Sequence, residues 1–253
     1  MAQQLADTPR GSKRSLALPC KQFCLMSLSA ICLGLIWVPA GSASYAIYVG
    51  KNLTNDGSVL IGGSGDEVSS HWLEVVPAAS HAPDASITVG VTREAFMPGE
   101  FIQIPQAPET YRYLTMNYSE YEGFPPPLTN GGLNEYNVVG RDVWSPSRPE
   151  LVAMTPNPQT GPQYSDLSRI AMERAKSARE AVQIVGALID QYGYSTYGGN
   201  SHFFADEREG WVLINFAGGQ RLWIAERLGP DDLRMSYPGY IGEIPLDFSK
   251  AMT

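Results

Sequence analysis

Between Ser165 and Tyr192 the apolar residues Leu167, Ile170, Ala171, Ala178, Val182, Val185, Leu188 and Ile189 recur close to every 3.6 positions. This is the one strong helical signal in the chain. Ser165 fits an N-cap with Asp166 in the first turn, and Gly193 fits a C-terminal stop. Ser177-Ala178-Arg179-Glu180 matches a capping box, so the block is expected as two helices meeting near Lys176. Extended patterns lie on both sides of it. Strands, a helical pair and then more strands give an α+β chain, because an alternating α/β chain would need a helix after nearly every strand.

The strand signals are aromatic and β-branched runs bounded by turn residues. Tyr45 to Val49 and Ser58 to Ile61 flank Asn55-Asp56-Gly57 and are expected to form a hairpin. Trp72 to Val76, Ile87 to Val91, Tyr111 to Met116 and Val138 to Val143 follow, then His202 to Ala205, Trp211 to Phe216 and Leu222 to Ala225 after the helices. Prolines between Phe124 and Leu128, and between Pro146 and Pro162, predict loops.

The N-terminus reads as an export signal. Arg10, Lys13, Arg14 and Lys21 precede an apolar run from Phe23 to Val38, and Pro39 and the small residues Ala40 to Ala43 close it. The run is shorter than the roughly 20 residues that span a bilayer. An uncleaved signal anchor and cleavage after Ala40 or Ser42 are the alternatives. Residues 1–43 are thus expected as a signal peptide and 44–253 as a single exported domain, with no stable membrane insertion after cleavage. All three cysteines, Cys20, Cys24 and Cys32, fall in the signal, so the mature chain is expected to lack disulfides, thiolate metal sites and a cysteine nucleophile. Removing four bases and one acid takes the net charge from −8 to −11. So acidic a surface argues against nucleic acid as a partner.

Cleavage after Ala43 would leave Ser44 as the first residue. A terminal serine carries its own general base, an α-amine whose pKa of roughly 7.7–8.0 leaves a usable neutral fraction. Hydroxyl and amine together are the minimal kit for acyl transfer in an N-terminal-nucleophile hydrolase.

Ser44-Tyr45-Ala46-Ile47-Tyr48-Val49-Gly50-Lys51, followed by Asp56-Gly57-Ser58, resembles the mature start of the C69 dipeptidases. Gly131-Gly132-Leu133-Asn134-Glu135-Tyr136, the Glu173-Arg174-Ala175-Lys176 region, and Gly198-Gly199-Asn200-Ser201-His202-Phe203-Phe204-Ala205-Asp206 agree in the same order. The resemblance implies an N-terminal-nucleophile αββα sandwich and hydrolysis of a dipeptide or small amide substrate, with no metal or organic cofactor. It departs in three places. Ser44 stands where relatives usually carry cysteine. Gly63-Ser64-Gly65-Asp66 replaces Arg-Asn-Glu-Asp. Thr253 follows soon after a strand expected at Ile241-Gly242-Glu243-Ile244, so the sheet stack is expected to be incomplete.

With that resemblance, Ser44 is the expected nucleophile, and Asp66 would hold its ammonium or stand as a solvated turn acid. Asn134 and Asn200 are the expected oxyanion donors, although Gly-Gly-Leu-Asn and Gly-Gly-Asn also read as ordinary turns. His202 beside Ser201 invites a serine–histidine–acid arrangement, yet no Gly-x-Ser-x-Gly elbow accompanies it and a packed residue is expected. Tyr111, Tyr113, Tyr118 and Tyr121 read as strand packing or as a cleft lining. Arg141 beside Asp142 reads as a surface ion pair, with a substrate carboxylate as the alternative. Two further functions stand beside the hydrolase: a non-catalytic binding member of the family, and a penicillin-acylase-like amidase.

Overall fold

The computed structural model describes residues 44–65, 69–121 and 123–236. The expected signal peptide, Asp66 and the strand expected at 241–244 lie outside them. In chain order come β1 (Tyr45–Val49), a 3-10 turn (Lys51–Leu53), β2 (Leu60–Ser64), β3 (His71–Val76), β4 (Ala79–Ser80) and β5 (Ser86–Val89). They are followed by β6 (Ile102–Pro105), β7 (Glu109–Thr110), β8 (Tyr113–Tyr118), β9 (Leu128–Asn134) and β10 (Val139–Trp144). The helices are α1 (Pro149–Ala153), α2 (Tyr164–Arg174) and α3 (Ala178–Tyr192). Strands β11 (Asn200–Ala205), β12 (Gly210–Asn215), β13 (Trp223–Leu228) and β14 (Leu233–Ser236) complete the order.

Seven strands form one antiparallel sheet in the order β13-β12-β11-β10-β9-β8-β3, and three form a second in the order β14-β1-β2. Helices α2 and α3 cover one face of the large sheet: Leu167, Ile170, Val182 and Ile189 pack with Phe204, Trp211 and Leu213. The small sheet covers the other face, where Ala46 and Tyr48 meet Val143, Phe203, Ala205 and Val212. Phe203 and Phe204, consecutive on β11, therefore serve opposite cores, as the two-residue strand period requires. Every residue of β11 is buried for the same reason. Each fully buried aliphatic or aromatic side chain contributes roughly 1.5–3 kcal/mol. The layering is that of an α+β sandwich, helix on sheet on sheet; a second outer helical layer is not among the described residues.

The helix pair breaks at Ala175–Ser177, as its capping signals predict. Ser177 Oγ accepts from Glu180 N at 3.2 Å, and Glu180 Oε2 accepts from Lys176 N at 2.8 Å. At the start of α2 the cap differs from expectation. Gln163, not Ser165, is the N-cap: its Oε1 accepts from Ser165 N at 2.6 Å and Asp166 Oδ2 accepts from Gln163 N at 3.1 Å. Ser165 Oγ instead accepts from Thr129 N at 2.7 Å and ties α2 to β9.

Two loops were more ordered than their composition predicts. A short helix, α1, starts at Pro149 within the proline-rich stretch, because proline at the first helical position leaves no donor unsatisfied. Gly131 to Asn134, for which a turn was the alternative reading, is the end of strand β9, and the turn itself falls at Glu135 to Val138.

Candidate active site

Strand β9 and strand β10 separate along their length. They pair only where Val139, Gly140 and Arg141 face Leu133, Gly132 and Gly131. Beyond that point β10 continues through Asp142, Val143 and Trp144 against β11, while Leu128 and Thr129 pair with β8 alone. Gly131 sits at the fork with φ near 129°, and a Cβ there would meet the carbonyl of Gly140. Only glycine allows both that backbone and that approach.

A cavity of about 280 Å³ occupies the fork. Asn130 lines one side, and Arg141, Asp142, Val143 and Trp144 line the other. Ser44 borders it from the small sheet, one residue before β1, and Tyr118, Tyr121, Tyr164 and Tyr197 complete the wall. Ser44 is half-buried. Its position follows from the small sheet: β1 lies between β14 and β2, with Tyr45 opposite Ser64.

The tyrosines form a cage with Phe124. Tyr121, Tyr164 and Tyr197 meet in edge-on or tilted pairs with centroids 5.0–6.1 Å apart. The hydroxyls of Tyr118 and Tyr164 touch, and Tyr197 donates to Asn200 Oδ1 at 2.9 Å. Burial pushes the Tyr164 and Tyr197 phenols well above their ordinary range, so both stay protonated as donors. Of the four tyrosines singled out in the sequence, Tyr118 and Tyr121 reach the cavity. Tyr111 packs instead on Tyr136, and Tyr113 belongs to the helix–sheet core.

The two asparagines expected to bind an oxyanion are placed otherwise. Asn134, 3% exposed, donates both amide hydrogens to the carbonyls of Met172 and Ala175 at 3.1 and 2.7 Å. Its Oδ1 accepts from the backbone of Tyr136 and Val138, both at 3.0 Å. Asn134 is a fully satisfied lock between the β9–β10 turn and the end of α2, and has no donor left for an oxyanion. Asn200 lies closer, behind the cavity wall. Its Nδ2 donates to Asp142 Oδ2 at 3.2 Å and stands 3.2 Å from His202 Nε2. With Oδ1 held by Tyr197, Asn200 orients Asp142 rather than facing Ser44 itself.

His202 stands in the same buried row, with Nδ1 3.3 Å from Ser168 Oγ, and burial lowers its pKa to about 3. It is a packed neutral residue and does not line the Ser44 cavity. Arg141 forms no ion pair of the kind expected: its Nε and Nη2 are enclosed and make no hydrogen bond among the described residues. Among the lining residues that sequence reasoning passed over is Asn130. Its signal was the same Gly131-Gly132 pair that drew attention to Asn134. Which of the flanking asparagines faces a cavity depends on the fork, which no local pattern encodes.

Residues 43–242 match the family model described as Peptidase family C69. The chain is 26% identical over 210 residues to probable dipeptidase A of Streptococcus pyogenes serotype M3, covering 82% of this chain and 42% of that protein. It is 27% identical over 228 residues to a dipeptidase of Bifidobacterium longum, covering 83% and 39%. It thus spans about two fifths of the length of these curated relatives. Among solved structures, penicillin V acylase from Agrobacterium tumefaciens overlays with a TM-score of 0.39 at 11% identity, covering 77% of this chain and 52% of that one. A mutant conjugated bile acid hydrolase from Clostridium perfringens overlays with a TM-score of 0.44 at 10% identity, covering 81% and 55%. With residues 43–242, most of this chain, matched to the family model, the chain belongs to peptidase family C69.

Proposed function

We propose that the chain is an exported hydrolase of dipeptides or similar small amides, and that removal of residues 1–43 makes Ser44 its nucleophile. The observation that carries this reading is the placement of Ser44, at the head of β1 and on the rim of the cavity in the β9–β10 fork. The freed α-amine would take the hydroxyl proton directly or through one water as Oγ attacks the scissile carbonyl. It would then return that proton to the leaving amine as the C–N bond breaks, and a water activated by the same α-amine would release the acyl group from Oγ. Asn130, which lines the cavity and whose side chain forms no hydrogen bond among the described residues, replaces Asn134 as the candidate oxyanion donor. Asp142, held by Asn200, supplies an acidic group on the opposite side. Asp66 keeps its candidate role of holding the ammonium.

Mass spectrometry of the exported protein should find Ser44 first; any other terminus removes the proposed base. Ser44→Ala should lower dipeptide hydrolysis by about 10³-fold or more, whereas Ser44→Cys, with a stronger nucleophile, should retain it. A serine-reactive β-lactone should label Ser44. Silence of that probe, with a correctly processed terminus, would favour the non-catalytic binding protein. Acyl amides that are not peptides, tried alongside dipeptides, separate the penicillin-acylase-like activity.

A further inference from the structure

Arg141 stands between two cavities. One is the Ser44 cavity; the other, about 270 Å³, is walled largely by Ile61, Leu73, Leu114, Met116 and Leu133. Both have Arg141 and Asn130 in their lining. The arginine stem is fixed from below. It crosses Gly63 of β2, where a Cβ would lie 2.8 Å from Arg141 Nε and 3.1 Å from Cγ. Glycine at position 63 is thus what lets a side chain from the large sheet reach over the small one beside Ser44.

A guanidinium is charged at every accessible pH, and its N–H groups form a planar fork that matches a carboxylate. Here two of its nitrogens are enclosed and donate to nothing among the described residues. Donors withdrawn from water without acceptors are costly, and an anionic ligand supplies the acceptors. Because the stem is already held, little freedom is lost when such a ligand arrives. Arg141 and Asp142 both border the Ser44 cavity, but as consecutive residues of β10 their side chains leave opposite faces of the strand, the arginine toward Gly63 and the aspartate toward Asn200.

We propose that Arg141 is the carboxylate receptor of this site. It takes the free carboxylate of a small peptide through paired N–H contacts, while an apolar side chain of the same residue enters the cavity of Leu114, Met116 and Leu133. The catalytic meaning of this contact rests on the reading of Ser44 given above; the binding itself does not.

The test is calorimetric titration of alanyl-leucine and of alanyl-leucinamide into the exported, processed chain carrying Ser44→Ala. The acid should bind about 10- to 100-fold more tightly than the amide, the range expected for a charge-assisted contact. Adding Arg141→Gln should erase that preference, and Arg141→Lys, a point charge without the fork, should keep only part of it. Equal affinities, no binding of either compound, or a preference that survives Arg141→Gln overturns the assignment. Circular dichroism and the melting temperature establish that Arg141→Gln is folded. If it is not, Arg141→Lys decides: a preference reduced severalfold supports the receptor, and an unchanged one overturns it. Hydrolysis by the chain that keeps Ser44 is a separate readout. Its absence beside an intact acid preference removes the reading of Ser44 and leaves Arg141 standing.

Discussion

His202 illustrates how burial sets chemistry at the scale of one residue. It is 1% exposed, lies parallel to Phe204 with ring centroids 5.9 Å apart, and has its pKa lowered to about 3 by desolvation. With Asn200 Nδ2 donating to Nε2, the remaining hydrogen is on Nδ1 and points to Ser168. In the unfolded chain the same imidazole titrates near 6.5. Between those values the unfolded chain takes up a proton that the folded chain refuses. The contribution is therefore fully present above pH 6.5 and is lost as pH falls toward 3. Urea midpoints should record a loss on the order of 2 kcal/mol between pH 6.5 and 5. His202→Phe, which keeps an aromatic ring against Phe204, should lack most of that slope; an identical slope in both proteins would refute the assignment. Asn134 makes the same point about burial. Once all its hydrogen-bonding capacity is spent on backbone, its identity speaks to folding and no longer to catalysis.

At the scale of elements, α3 shows packing overruling propensity. Gly186 lies in the middle of a helix, where alanine would ordinarily gain about 1 kcal/mol. A Cβ there, however, would lie 2.5 Å from Cζ2 of Trp223 on β13. The indole is not free to retreat, because its Nε1 donates to Asp190 Oδ1 at 2.9 Å. Gly186→Ala should accordingly destabilise the protein by about 1–3 kcal/mol in chemical denaturation, the opposite of the propensity effect. Most elements were legible beforehand. The helix pair, its break and its stop came from apolar spacing and capping residues, which are local. The strand β9 was not, because Leu128 to Asn134 contains two glycines and no alternation. Its extended form is imposed by β8 on one side and, for half its length, by β10 on the other.

For the whole molecule, the contact between the two sheets depends on Tyr48. Its ring crosses from β1 onto Gly210 of β12, where a Cβ would lie 2.6 Å from Tyr48 Cδ2, and its hydroxyl donates to Gly229 O at 2.9 Å. Gly210→Ala should push the sheets apart at this point and cost about 1–3 kcal/mol in chemical denaturation, with a matching fall in melting temperature. The small sheet's position over β10 to β12 also decides what remains open: Leu73 and Val75 on β3 and Met116 on β8 stay exposed beyond its edge. One end of the apolar cavity beside Arg141 is built from that uncovered face.

The sequence alone determined the α+β class, the two helices and a strand beginning directly after Ser44, because periodicity, caps and turn residues act over a few neighbouring positions. Tertiary structure alone decided that β9 and β10 part, that Asn130 rather than Asn134 faces the resulting cavity, and that Arg141 reaches across Gly63. Those outcomes depend on register between segments far apart in the chain, where a shift of one residue exchanges the two faces of a strand.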